Sequence, residues 1–204
     1  MAIGKKNKRG LLIVLSSPSG GGKTTIAHQL MAKDKNVVRS ISCTTRKPRA
    51  GEKNGKDYFF VTVAKFKAMV GKKSFLEWAK VHQNFYGTPG HWVEAQLAKG
   101  KDVLFVIDVQ GGKIIKRKVA DALLLFIQPP SFKVLKQRLL GRQSESAEAL
   151  KVRLSDARGE IKEGKHYDYR VINDRLSHAV SEVRKIIKNE RKSRLKARMK
   201  MGLK

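Results

Sequence analysis

The sequence predicts an α/β fold built on a buried parallel sheet, on three observations. Leu11 to Leu15 is an unbroken apolar run, and similar runs recur within Asp102 to Asp108 and Leu123 to Ile127. Apolar strands without polar alternation are covered on both faces, the habit of a parallel sheet. The first run feeds a stretch of small residues ending in Gly20-Gly21-Gly22, where the backbone can take conformations costly to other residues. Beyond it, Ile26, Ala27, Leu30 and Met31 have helical spacing.

Strand, glycine loop, Lys-Thr and helix together form the context of a phosphate-cradling loop. Its backbone N–H groups converge on phosphate oxygens, and the helix N-terminus adds a favourable dipole. Ser17, Pro18, Ser19, Gly20, Gly21, Gly22, Lys23, Thr24 and Thr25 are therefore read as a nucleoside triphosphate site. Lys23 is expected to reach the β- and γ-phosphates, and the Thr24 hydroxyl to ligate Mg²⁺. The pattern G-x-x-x-x-G-K-[ST] is broken at its first position, which here is Ser17.

A chain of 204 residues is long enough for a full core with subsidiary units. The 45 Lys and Arg against 17 Asp and Glu give a net charge of +28. Such a field attracts phosphorylated ligands, and nucleic acid or anionic membrane non-specifically, but selects neither fold nor reaction. No run approaches the ~18 apolar residues of a membrane span. The basic stretch Met1 to Arg9 is followed by too short an apolar run to be a secretory signal. One cysteine, Cys43, excludes an internal disulfide and fits a reducing, cytoplasmic setting. No Cys/His group has zinc spacing.

In chain order, Val37 to Ser42 reads as a short strand leading into a loop rich in Pro, Gly and charge. Asn54-Gly55 signals a tight turn before a strand at Tyr58 to Val61, a hairpin-like unit. Val63 to Val70 reads as a helix, Phe75 to Val81 as a strand and Asn84 to Thr88 as a loop. Residues 41–90 are thus an insertion in the α/β core. The core resumes with a helix over Gly90 to Lys99 and the strand ending at Asp108, an end where open α/β sheets bind ligands. A polar helical stretch spans Ser131 to Gly164, and Val171-Ile172 is a fourth core strand. The last helix buries Leu176, Val180, Val183 and Ile187 on one face; from Lys188 a frayed basic tail is expected.

The stretch Ser42-x-x-Thr45-Arg46-x-Pro48-Arg49-x-Gly51-Glu52-x-x-Gly55-x-Asp57-Tyr58 resembles the GMP-binding segment of guanylate kinases. The resemblance continues through Phe75-x-Glu77, Tyr86-Gly87-Thr88, Ile107-Asp108-x-Gln110-Gly111, Pro129-Pro130-Ser131, Arg138-Leu139-x-x-Arg142, Arg153-Leu154, Tyr167-Asp168-Tyr169 and Asn173-Asp174. It implies a P-loop nucleoside monophosphate kinase over residues 10–190. The core would comprise 10–40, 91–132 and 165–190, with a GMP-binding insertion at 41–90 and a helical lid at 133–164. Residues 191–204 are left as a basic tail. It implies ATP-dependent, Mg²⁺-assisted phosphorylation of GMP, and of dGMP, to the diphosphate.

Physical chemistry supports these positions. Arg46 and Arg49 in a Pro-containing loop, with the Tyr58 and Tyr86 hydroxyls, suit a phosphate monoester. Glu77, among Phe75, Leu76 and Trp78, can accept from guanine N1–H and the 2-amino group together, a pair adenine cannot present. By resemblance Ser42 and Thr88 donate to guanine O6, Glu52 belongs to the GMP site, and Asn173 meets the adenine. Asp108 contacts the guanine amino group or orders Mg²⁺ through water. Arg138, Arg142 and Arg153 match lid arginines that would neutralise charge on the transferred group. The family's strand carries a second acid two residues before Asp108; here Val106 stands in that place.

The expected partners are ATP and GMP, with no specific nucleic acid and no membrane, in a monomer or homodimer. Three other readings stay open on sequence alone. One is a non-catalytic module that binds proteins, and another is a nucleic-acid binder using the basic ends 4–9 and 188–204. The third is a related kinase of another phosphate monoester.

Overall fold

The first apolar run forms strand β1 (Leu12–Ser16), buried at every position. In the computed structural model, residues 9–81, 83–141, 147–200 and 202 are described. The chain continues through α1 (Lys23–Lys33), β2 (Val37–Arg39), β3 (Cys43–Thr44), β4 (Phe59–Phe60) and α2 (Val63–Gly71). Next come β5 (Phe75–Val81), β6 (Asn84–Pro89), α3 (Gly90–Ala98), β7 (Asp102–Val106), α4 (Val109–Lys118) and β8 (Leu123–Gln128). It ends with α5 (Phe132–Leu140), α6 (Ala147–Glu163), a 3-10 turn (Gly164–His166), β9 (Tyr169–Ile172) and α7 (Leu176–Lys200).

One sheet has the order β2-β7-β1-β8-β9, and every pairing in it is parallel. Alternate residues of its central strand feed opposite cores, as the pleat requires. Leu11, Ile13 and Leu15 pack with Ile26 and Leu30 of α1 and with Val180, Val183 and Ile187 of α7. Leu12 and Val14 pack with Val93 and Leu97 of α3 and with Ile115 of α4. Burying each such Leu or Ile side chain stabilises the fold by about 1.5–3 kcal/mol.

The second sheet, order β4-β3-β6-β5, comes from the segment expected to be an insertion. Two expectations within it are overturned. No hairpin forms at 54–61: β4 pairs parallel to β3, Cys43 opposite Phe59. There the Asn54 amide oxygen accepts from Phe60 N and the Asp57 carboxylate accepts from Lys53 N, folding the turn on itself. Nor is 84–88 a loop. It is the strand β6, paired antiparallel to both β3 and β5. Gly87, which reads as a breaker, is required because a Cβ there would lie 2.9 Å from Trp78 Cβ and 3.1 Å from Phe66 Cζ. The ring of Phe66 fills that space, stacked on Phe75 at 4.6 Å and on Phe85 at 5.4 Å.

Elsewhere the expected strand at 37–42 is realised only over Val37–Arg39, β3 of the other sheet beginning at Cys43, and β7 stops at Val106. Asp108 instead caps α4, its side chain accepting from Gly111 N at 2.8 Å. That helix was not expected, since Gly111-Gly112 in its first turn is a poor helix former. Tertiary contact explains the glycine: a Cβ on Gly112 would sit 2.2 Å from the Tyr167 hydroxyl.

The basic end does not fray where expected; α7 is continuous to Lys200. Beyond Ile187 ion pairs replace apolar packing. Arg191 bridges Asp34 at 2.8 Å and Asp102 at 2.6 Å, and Arg194 pairs with Asp121 at 2.9 Å. Asp102 is 2 % exposed and also accepts from Leu11 N at 2.8 Å. Asp102→Ala should cost about 3 kcal/mol, since it removes one of the two carboxylates of a partly buried guanidinium and leaves the buried Leu11 N–H without its acceptor. Urea unfolding at unchanged m-value measures this, and a loss below about 1 kcal/mol would contradict it.

Candidate active site

The loop after β1, Asp108 after β7 and Asn173 after β9 all lie at the C-terminal edge of the parallel sheet, where α/β folds bind ligands. Within the loop Gly20 and Gly22 have φ of +82° and +95°, and Gly22 is the N-cap of α1. Ser17, the departure from the usual pattern, needs no such conformation. It is buried, its hydroxyl donates to Pro18 O at 3.0 Å, and its side chain lies where a Cβ on Gly21 would fall, at 2.8 Å. Serine at the first position is thus matched by glycine at the fifth.

Asn173, expected at the adenine, braces this loop. It is 6 % exposed, and its amide Nδ2 donates to Gly21 O at 2.9 Å. Its own carbonyl accepts from Arg138 Nη2 at 2.9 Å, tying α5 to the loop. Leu139 of the same helix approaches Gly20, so the base of the presumed lid packs on the phosphate cradle. Arg142 lies outside the described residues.

A cavity of about 180 Å³ gathers Lys23, Ser42, Tyr58, Glu77, Tyr86 and Asp108. Val106, the replacement for the family acid, is part of its apolar wall. Glu77 is 3 % exposed and accepts from Thr88 Oγ1 at 2.7 Å. Ser42 Oγ lies 2.9 Å from Thr88 Oγ1. The single Thr88 hydrogen is spent on Glu77, so Ser42 donates to Thr88. Thr88 is fully buried and orients the carboxylate from behind, leaving no hydrogen for an O6 contact in this arrangement. Burial pushes the Glu77 carboxyl up to about 7, with nearby Asp108 adding to the rise and Thr88 and Lys118 opposing it.

Beside this cavity Arg46 places Nη2 2.7 and 2.9 Å from the two Glu52 oxygens, and its guanidinium lies 5.5 Å from the Tyr58 ring centre. Glu52 also accepts from Arg49 N at 2.8 Å. The Arg46 contact holds the Glu52 carboxyl below the usual range. Both Glu52 oxygens are therefore occupied in shaping the arginine loop.

A second cavity, about 690 Å³, joins the two halves: Ser19 of the loop, Arg49, Asp108, Gln110, Arg153 and Glu160 line it. Glu160 is a residue that sequence reasoning missed. Its Oε2 accepts from Ser19 N at 3.2 Å, and burial raises its pKa while Lys23 opposes the rise. The available signal was spacing, for 153, 156 and 160 share one helical face. Tyr167 was seen only as a motif; its hydroxyl donates to Ser16 Oγ at 2.8 Å, beneath the loop.

A family model described as guanylate kinase matches residues 9–190. The chain belongs to the guanylate kinase family. It is 46% identical over 186 residues to a guanylate kinase of Rickettsia felis, covering 91% of this chain and 96% of that one. It is 47% identical over 183 residues to one of Myxococcus xanthus, covering 89% and 88%. A crystal structure of guanylate kinase from Anaplasma phagocytophilum superposes with a TM-score of 0.75 at 34% identity, covering 90% of this chain and 87% of that one. The α/β fold with its parallel sheet is that of a P-loop nucleoside monophosphate kinase, as a guanylate kinase requires. No helix among the described residues is long and apolar enough to cross a membrane.

Proposed function

We propose that the chain transfers the γ-phosphoryl group of ATP to GMP and dGMP, giving ADP and the guanosine diphosphate. The observation that carries this reading is the buried Glu77 carboxylate in one cavity with Lys23 of the phosphate loop. Guanine presents two adjacent donors, N1–H and the 2-amino group, to that carboxylate. Ser42, in the same cavity, has a hydroxyl that can turn to O6, and Asp108 can take the amino group. Arg46, Arg49, Tyr58 and Tyr86 hold the GMP phosphate, and Glu52 positions the two arginines.

ATP lies on residues 17–25, with Asn173 behind them. The acceptor is an already ionised phosphate oxygen, so no general base is needed. Lys23, Arg49 and, from the lid side, Arg138 and Arg153 stabilise charge on the moving phosphoryl group. Glu160 holds the loop open through Ser19 N. The Thr24 hydroxyl and Asp108 are hard oxygen donors that fit Mg²⁺, which usually keeps several waters and is shared with substrate phosphates. When bound, Mg²⁺ supplies charge neutralisation on the triphosphate. Both pockets are built from one chain, so the reaction needs no second copy. A single cysteine, Cys43, free and buried, suits a reducing compartment, and we place the activity in the cytoplasm.

A panel of nucleoside monophosphates with ATP–Mg²⁺, followed by ADP release, tests the reading. GMP and dGMP should exceed AMP and UMP in kcat/KM by about 100-fold or more. Comparable turnover of AMP or UMP would overturn it. ADP release with none of the four, in protein that still binds ATP, would instead favour a binding module.

A further inference from the structure

The phosphate sites account for a few of the cations; most of the net charge of +28 lies elsewhere. The fold brings Arg9 and the basic end of α7 together at the pole opposite the nucleotide cavities. Gly10 and Leu11 precede β1, Asn36 precedes β2 and Asp102 opens β7, and all three strands run parallel. They therefore mark the N-terminal edge of the sheet, about 16 Å from the phosphate loop for a five-residue strand. A groove of about 290 Å³ lies there, rimmed by Arg9, Arg191, Lys192, Arg194 and Arg198. From it the end of α7 carries Lys188, Lys192 and Lys196 at four-residue spacing, each step rising about 6 Å along the axis. Among the described residues these lysines, Arg198 and Lys200 have no carboxylate partner. Arg9 follows Lys5, Lys6 and Lys8 in the chain.

We infer that this pole, the end of α7 together with Arg9, is a binding surface for the phosphate backbone of nucleic acid, read without sequence preference. Arg9, Arg191 and Arg194 are already paired with Glu94, with Asp34 and Asp102, and with Asp121, so the cations offered to a ligand are Lys188, Lys192, Lys196, Arg198 and Lys200. Such a row, extending beyond the groove, suits a polymer of phosphates better than a single anion. No aromatic ring lines the groove to stack a base. A membrane-lying helix needs a continuous apolar face. In α7 that face is turned inward at Val180, Val183 and Ile187, and beyond it, among the described residues, Leu195 and Met199 are the large apolar side chains left exposed, at 36% and 71%. A protein partner would need buried aromatic or aliphatic anchors of the same kind. The surface is separate from the ATP and GMP pockets, so it stands whether or not the proposed reaction does.

The test uses the full chain and a fluorescently labelled single-stranded RNA of about 20 nucleotides, with a DNA duplex of equal length, across a salt series. The triple variant Lys192→Glu, Lys196→Glu, Arg198→Glu should bind at least about tenfold more weakly. Its log–log salt slope on RNA should be shallower by about 2. Kinase turnover should be unchanged, and saturating ATP with GMP should not displace the RNA. A control triple with equal charge change, Lys65→Glu, Lys67→Glu, Lys72→Glu on and beside α2, should bind as the parent does. Equal loss in both triples would overturn the proposal, since a diffuse field would then explain the binding. So would displacement by the substrates, or tighter α7-dependent binding to phosphatidylserine vesicles than to either nucleic acid.

Discussion

Lys23→Ala should lower kcat by about 10³-fold or more while leaving the KM for GMP within about threefold. Lys23 is half-buried at the first position of α1, directly after the left-handed Gly22 that turns the backbone into the helix. Its ammonium faces the cavity that holds Glu77 and Asp108, and it interacts electrostatically with Glu160 on the far side of the loop. In the proposed reaction that position lies between donor and acceptor, where charge moves during transfer, and no other residue of the loop carries a cation. Loss of a group that acts on the transition state lowers kcat and kcat/KM alike. Ser42, Arg46, Tyr58, Glu77 and Tyr86, which would hold GMP, are untouched, so the affinity for GMP should survive. The helix should survive too, because alanine is a better helix former than lysine and α1 is anchored by Ile26, Ala27 and Leu30. Steady-state kinetics with a thermal melt of each protein separates the outcomes. A fall in kcat below tenfold, in a folded variant, would remove Lys23 from the chemistry.

What could be read from the sequence was whatever is local. Unalternated apolar runs announced β1, β7 and β8, and the glycine loop between an apolar strand and a helical pattern announced the phosphate site. Glu77 was legible because a carboxylate flanked by Phe75, Leu76 and Trp78 has little choice but to be partly buried. What stayed hidden depends on contacts between distant residues. The strand β6 looks like a turn in Asn84, Gly87 and Pro89, and becomes a strand because β3 and β5 pair with it on either side. Helix α4 carries in its first turn two glycines whose missing side chains make room for Tyr167, Ile107 and Glu77. Glu160 is one acid on a charged helix until it meets Ser19, 141 residues earlier. Asn173 is spent on Gly21, 152 residues away. The tail at 191–200 reads as solvated charge, and its helix is held by carboxylates at 34, 102 and 121.

Glu77→Gln should reduce kcat/KM for GMP by about 10²–10⁴-fold and leave the slow use of AMP nearly unchanged. The carboxylate offers two acceptors to two guanine donors. The amide offers one acceptor and turns an N–H₂ group toward a donor, leaving a buried polar pair unmatched. The same residue also sets a pH dependence whose sign can be worked out. Burial raises its carboxyl from 4.5 to about 7, so the empty protein retains a proton that the unfolded chain loses well below neutrality. Its stabilising contribution is thus complete below pH 4.5 and is lost as pH rises through 7. Without nucleotide, the Gln variant should lack that decline and be the more stable of the two at pH 8. Guanine recognition runs the other way, because only the ionised carboxylate accepts both donors. For the parent protein the KM for GMP should climb as pH falls through 7, and added GMP should stabilise it more at pH 8 than at pH 6. The phosphate of GMP itself titrates near pH ~6, but does so equally with either protein. The ratio of parent to variant KM across pH therefore isolates Glu77. A ratio that does not change between pH 6 and pH 8 would mean that this carboxylate does not meet the base.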